Sequence, residues 1–290
     1  MWRFIKAVYF IFNVIIILTL LILHFYIKDS SYFSSLYFYL FALPVIIFIV
    51  LALSVFLGKK GKYNIILAGL LFVIWIGRSY SFSFEKPILK SDLEVVFWNA
   101  YRKNNFEKAF IEYESIPDVL VLTESNESNI ASLQLKYPDF HFYKSEREIW
   151  IFSKMPIDII KEETSNYNST VIIFKTHGIN FYAVDMVGSA DVPRSWEYQF
   201  FNSISKNKEK AIILGDFNIP VESLFLNDLK KEYNFYFTSN GNGFRETWFW
   251  NIPLLSIDQI WVSKDLQIVT SEIIRTFKSD HAMIKTVVRR

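Results

Sequence analysis

The chain has 290 residues, 52% of them hydrophobic, with 31 Lys/Arg against 29 Asp/Glu and no cysteine; disulfides, zinc–thiolate sites and thiol nucleophiles are thereby excluded. The near-neutral total hides an uneven split. Residues 1–90 carry nine Lys/Arg and two Asp/Glu, net +7, while residues 91–290 carry 22 and 27, net −5, so the second part has no broad basic field to grip nucleic acid by charge alone.

Residues 4–27 are apolar apart from Lys6, Asn13 and His24, and as a helix of about 36 Å they would cross a hydrocarbon core of about 30 Å. The stretch is long for a secretory signal and no small-x-small cleavage pattern follows, so it reads as an uncleaved anchor. Residues 36–57 contain no charge, and Pro44 within them is tolerable where neighbouring helices satisfy the freed backbone. Residues 63–77 are apolar but short, which requires a third span extending to about residue 82 with Arg78 snorkelling. The expectation is three transmembrane helices, about 4–27, 36–57 and 63–82, in a membrane domain 1–84. Arg3 and Lys6 precede the first span and Lys59, Lys60 and Lys62 separate the second from the third; by the positive-inside bias these mark the cytoplasmic side. Three crossings then deliver the remainder, after a linker 85–92, to the outer side of a plasma or inner membrane. With no charge facing inward along the spans, a polytopic transporter is a poor alternative.

From residue 93 the pattern becomes short apolar runs separated by polar segments. Strands are expected at 95–98, 119–122, 148–152, 170–174, 181–184, 211–214, 257–262 and 283–288, with helical stretches near 105–114, 127–136, 195–205 and 221–231. Continuous apolar runs indicate strands covered on both faces, hence an α/β domain over 93–290. The polar residues of interest stand at the ends of those runs: Asn99, Glu124, Asp216 with Asn218, Asp258, and Asp280-His281. Strand ends are where ligand sites gather in α/β sheets. An acid and an amide two residues apart can hold a water, and an Asp–His pair supplies charge and protons, as phosphodiester cleavage requires.

In the order and spacing of Phe97-Trp98-Asn99, Pro117-Asp118-Val119 through Glu124, Phe152 through Pro156, Gly215 through Asn218, Thr247-Trp248 leading to Ile257-Asp258-Gln259-Ile260, and Ser279-Asp280-His281, the chain resembles the DNase I-like endonuclease/exonuclease/phosphatase superfamily over about residues 93–290. The resemblance implies a four-layer α/β sandwich, two face-to-face sheets flanked by helices. It implies Glu124 as the metal carboxylate with Asn99 as its neutral oxygen partner, and Asp280 sharing the metal or the water. The ion implied is Mg²⁺, with Mn²⁺ as the alternative. Asp216 would orient or deprotonate the attacking water, Asn218 would hold that water or a phosphoryl oxygen, and His281, its tautomer fixed by Asp258, would face phosphate. Many members carry a second histidine where this chain has Asp185, which could instead hydrogen-bond phosphate when protonated or approach the metal; Arg194 nearby is a further phosphate contact or a surface residue. The function implied is a membrane-tethered Mg²⁺-dependent phosphodiesterase, most simply a nuclease. Two alternatives stay open: a head-group phosphodiesterase acting on phospholipid or sphingomyelin, and a noncatalytic receptor for a phosphorylated ligand. No protein partner is implied.

Overall fold

The computed structural model describes residues 2–84, 86–126, 129–205, 209–237 and 240–290. The side chain of Arg3, Glu85 of the expected linker and residues 127–128 of an expected helix lie outside the described residues. The chain divides into two compact units, Met1–Tyr80 and Ser81–Arg290.

In the first unit, α1 (Trp2–Ile22) continues through a π-helical turn, Leu23–Ile27, and α2 (Tyr32–Leu40) follows behind a Ser31 capping box. Next come α3 (Leu43–Ser54), a 3₁₀ turn Val55–Lys60, and α4 (Gly61–Ser79). Ile17, Leu20, Ile46, Val50, Ala68 and Leu71 form the shared core, while Ile11, Phe12, Phe48, Ile66 and Val73 are exposed. Helix α4 packs back along α3: Asn64 donates to the Val50 carbonyl at 3.3 Å, and to Asn13 of α1 at 2.7 Å. Gly61 permits the close turn, since a Cβ there would lie 2.6 Å from the Ser54 carbonyl oxygen. Two segments are long and apolar enough to cross a membrane, Phe4–Ile27 and Leu43–Ser79, rather than the three helices expected. The 36–57 stretch is not one helix: it breaks at Phe41-Ala42 because Pro44, lacking an N–H, sits in the first turn of α3 and not in a helix interior. Its 12-residue α3 spans roughly 18 Å, well short of a hydrocarbon core. The third stretch is helical only to Ser79, and β1 (Tyr80–Ser81) is extended.

The second unit contains, in chain order, β2 (Leu93–Asn99), α5 (Phe106–Tyr113), β3 (Val119–Thr123), α6 (Ile130–Lys136), β4 (His141–Lys144), β5 (Ile149–Ser153), β6 (Asp158–Thr164), β7 (Thr170–Thr176), β8 (Ile179–Asp185), α7 (Arg194–Ile204), β9 (Ala211–Asp216), α8 (Asn227–Glu232), β10 (Tyr233–Phe235), β11 (Gly241–Phe244), β12 (Asp258–Ser263), β13 (Gln267–Ile274) and β14 (Met283–Arg289). One sheet runs β11-β13-β14-β2-β3-β5-β4 and the other β10-β12-β9-β8-β7-β6. Both are mixed, with β2 parallel to β3 and β8 parallel to β9. The sheets lie face to face and helices cover their outer faces, the layered sandwich expected. Strand alternation divides the core: Val96 and Trp98 face α5 with Phe106, Phe110, Leu120, Leu122 and Phe152, so Val95, Phe97 and Asn99 point toward the other sheet.

Asp118, of the Pro117-Asp118-Val119 segment, serves the fold. Its carboxylate accepts from the Glu94 amide at 2.9 Å and Lys154 Nζ at 3.1 Å, tying β2, β3 and the end of β5 together.

Candidate active site

Parallel β2 and β3 end side by side, pairing Asn99 with Thr123, the residue before Glu124. Parallel β8 and β9 end level, pairing Asp185 with Asp216, and antiparallel β12 begins opposite, pairing Asp258 with Asp216. One end of both sheets therefore gathers Asn99, Glu124, Asp185, Asp216, Asp258 and, just before β14, His281. The close approach of β9 to β8 depends on Gly215, where a Cβ would lie 1.9 Å from the Val184 carbonyl oxygen of the adjacent strand.

Asp216 is buried and fully engaged. Its Oδ2 accepts from Asn99 Nδ2 at 3.0 Å and its Oδ1 from the Asn218 amide at 2.9 Å. Burial pushes its carboxyl up to about 7, with the neighbouring Asp258 charge adding to the shift and His281, Asn218 and Asn99 opposing it. His281 Nδ1 sits 2.8 and 3.0 Å from the two Asp258 carboxylate oxygens. Burial alone would lower this imidazole, but Asp258, Asp216 and Asp280 outweigh it and raise it to about 10. Potential ligand atoms of Asp216, Asp258 and His281 lie within 4.8 Å of one another. Ser279 clamps the loop, donating to the Asn99 carbonyl at 2.8 Å and accepting from the His281 amide at 3.0 Å.

A cavity of about 360 Å³ opens beside this cluster, with Glu124, Asp185, Asp216, Asn218 and His281 among its lining. Asn218 Nδ2 donates to the Met186 carbonyl at 2.6 Å, fixing the amide in the wall. Asp185 is pushed well above the usual carboxylate range by burial and by the charges of Asp216, Glu124 and Glu148. Asp280 Oδ2 accepts from Trp248 Nε1 at 3.2 Å, and Asp280 is not among the residues lining the cavity. Arg194 likewise bonds the Val187 carbonyl instead of lining the cavity.

Sequence reasoning passed over Arg102, Arg147, Glu148 and Asn168 of the lining. Arg102 bridges two carboxylates, Nη1 to Glu124 at 2.7 Å and Nη2 to Glu148 at 2.8 Å, and hydrogen bonding to Glu148 raises its pKa. Glu148 begins an apolar run, the same strand-end signal that picked out Asn99; for Asn168, in the β6–β7 turn, no such signal exists.

Residues 96–281 match the profile of the Endonuclease/Exonuclease/phosphatase family. No curated protein matches the chain. Among solved structures, the endonuclease/exonuclease/phosphatase from Bacteroides vulgatus is 17% identical with a TM-score of 0.53, covering 69% of this chain and 99% of its own. The mannosyl-6-phosphatase of Bacteroides thetaiotaomicron VPI-5482 is 15% identical, TM-score 0.51, covering 68% and 100%. Truncated Caenorhabditis elegans TDP2 is 15% identical, TM-score 0.50, covering 69% and 98%. These likenesses report a shared fold. The chain belongs to the Endonuclease/Exonuclease/phosphatase family and is a metal-dependent phosphoester hydrolase.

Proposed function

We propose that the chain is a membrane-tethered, Mg²⁺-dependent phosphodiesterase acting on nucleic acid or a similar phosphodiester. The observation that carries this reading is the meeting of Asp216, Asn218 and the Asp258–His281 pair with Glu124 around one cavity. Glu124 and Asn99 would hold the ion: they offer the hard oxygen donors that suit Mg²⁺ or Mn²⁺, and Glu124 already faces a cation in Arg102. When bound, such an ion supplies Lewis-acid polarisation of a phosphoryl oxygen. Asp216, ionised from about pH 7 upward, takes a proton from the attacking water while Asn99 fixes its orientation. Asn218, anchored to Met186, orients that water or a phosphoryl oxygen. His281 stays protonated through neutral pH and presents positive charge to the developing phosphoryl negative charge, its ring aligned by Asp258. Burial and the Asp216, Glu124 and Glu148 charges push the Asp185 carboxyl well above the usual range against the pull of Arg102, and when protonated it would donate a hydrogen bond to phosphate where the family resemblance expects a second histidine.

The tether is the first unit. Lys6 lines the same cavity as Lys59 and Lys60, which supports both positive clusters lying at one end of that unit, the cytoplasmic end by the positive-inside bias. Helices α2 and α3 in succession, neither long enough alone, would bring the chain back to that end, and α4 then leads away from it and carries the hydrolase outside. A lipid head-group substrate is the second reading, favoured by exposed Phe249 and Ile252 in the segment following Trp248, which bridges to His281. The receptor alternative gives way, because the family is one of hydrolases. Nicking of supercoiled plasmid in Mg²⁺ by the full chain in detergent, lost in Asp216→Ala, is the expected result; head-group release from vesicles with plasmid untouched would transfer the assignment to lipid.

A further inference from the structure

The first unit contains a cavity that the hydrolase chemistry does not use. About 500 Å³ in volume, it is lined by Lys6, Ala7, Phe10 and Ile11 of α1 and by Phe56, Leu57, Lys59 and Lys60 of the turn before α4. Two features make it a built site. Tyr9 holds α1 against the end of α3, donating from its hydroxyl to the Leu53 carbonyl at 2.8 Å and packing edge-on against Phe56 at 5.9 Å. Lys60 Nζ lies 4.2 Å from the centroid of the Phe10 ring, so its charge is aimed along the apolar wall. The turn that brings Lys59 and Lys60 round is made at Gly58, whose φ of +54° other residues adopt only at a cost.

We propose that this cavity binds an anionic phospholipid, with the head-group phosphate among Lys6, Lys59 and Lys60 and the upper acyl chain along Phe10, Ile11, Phe56 and Leu57. The inference rests on the membrane-tethered reading above and goes beyond it. A positive-inside bias alone requires lysines on one side of the bilayer and nothing more about their arrangement. Here three of them share one concave surface with five apolar side chains, and phosphate and acyl chain are the chemistries complementary to that pair. Free inorganic phosphate would satisfy the lysines and leave the apolar wall exposed.

The test is native mass spectrometry of the full chain in detergent, titrated with phosphatidylglycerol, phosphatidylcholine or inorganic phosphate. The expected result is at least tenfold tighter binding of phosphatidylglycerol than phosphatidylcholine and no retention of phosphate, with each lysine contributing roughly a factor of five. Lys59→Gln with Lys60→Gln should remove most of the preference, leaving only the contribution of Lys6. Lys62→Gln, which removes a nearby charge that does not line the cavity, should leave most of it. Equal binding of the two lipids, or equal loss in Lys62→Gln, would overturn the site and attribute retention to general charge. Release of the chain from membranes by alkaline carbonate would instead overturn the tether itself.

Discussion

His281 carries the sharpest residue-scale expectation, because its environment moves its proton far from the ordinary range. Of the four histidines, His281 should titrate near pH 10 and His177, which burial lowers, below its usual value of 6.5. The proton on His281 is held more tightly by the folded chain than by the unfolded one. Its stabilising contribution is therefore complete below about pH 6.5 and is lost as pH rises toward 10. Long-range ¹⁵N spectra of the imidazoles, with unfolding midpoints between pH 6 and 10, check both statements; a His281 titrating near 6.5 would contradict the Asp258 pairing. Arg102 supports a second expectation. Its guanidinium competes with a metal for Glu124, so Arg102→Ala should tighten Mn²⁺ binding several-fold in calorimetry. Arg147→Ala, removing a cavity arginine outside that bridge, should do much less.

At the scale of elements, the site depends on how closely β8 and β9 approach. Gly215→Ala would place a methyl 1.9 Å from the Val184 carbonyl, wedging apart the strands that align Asp185 with Asp216. A loss of at least about 3 kcal/mol, or no folding, is expected in urea unfolding; an unchanged midpoint would show that the strands separate freely. Ser279→Ala removes one clamp between β2 and the His281 loop and should cost about 1 kcal/mol. Central strands were legible in the sequence because both faces are buried, giving apolar runs such as Val119–Leu122 and Ala211–Leu214. Edge strand β6 and the long β13 were not, since exposed positions dilute the pattern with Asp158, Lys161 and Glu272. Hydropathy likewise read 36–57 as one span, because it weighs apolarity and does not register the backbone break that Pro44 imposes. The strand-end residues Asn99, Glu124, Asp185, Asp216, Asp258 and His281 were legible by position. The Arg102–Glu148 bridge was not: it joins the loop after β2 to the β4–β5 hairpin, a juxtaposition made only by the folded sheet.

For the whole molecule, two questions meet: which side of a membrane the hydrolase occupies, and whether the gathered residues hydrolyse a phosphodiester. Alkaline phosphatase fused after residue 90 should be active if α4 leads outward, and inactive if the hydrolase is cytoplasmic. The chemistry has a more direct measurement. The full chain in detergent, given a generic phosphodiester with Mg²⁺, Mn²⁺ or EDTA, should turn over only with a divalent ion. Asp216→Ala and His281→Ala should each lose activity by about 10³-fold or more. Turnover that persists in EDTA, or in both variants, would contradict the assignment of hydrolysis to this site.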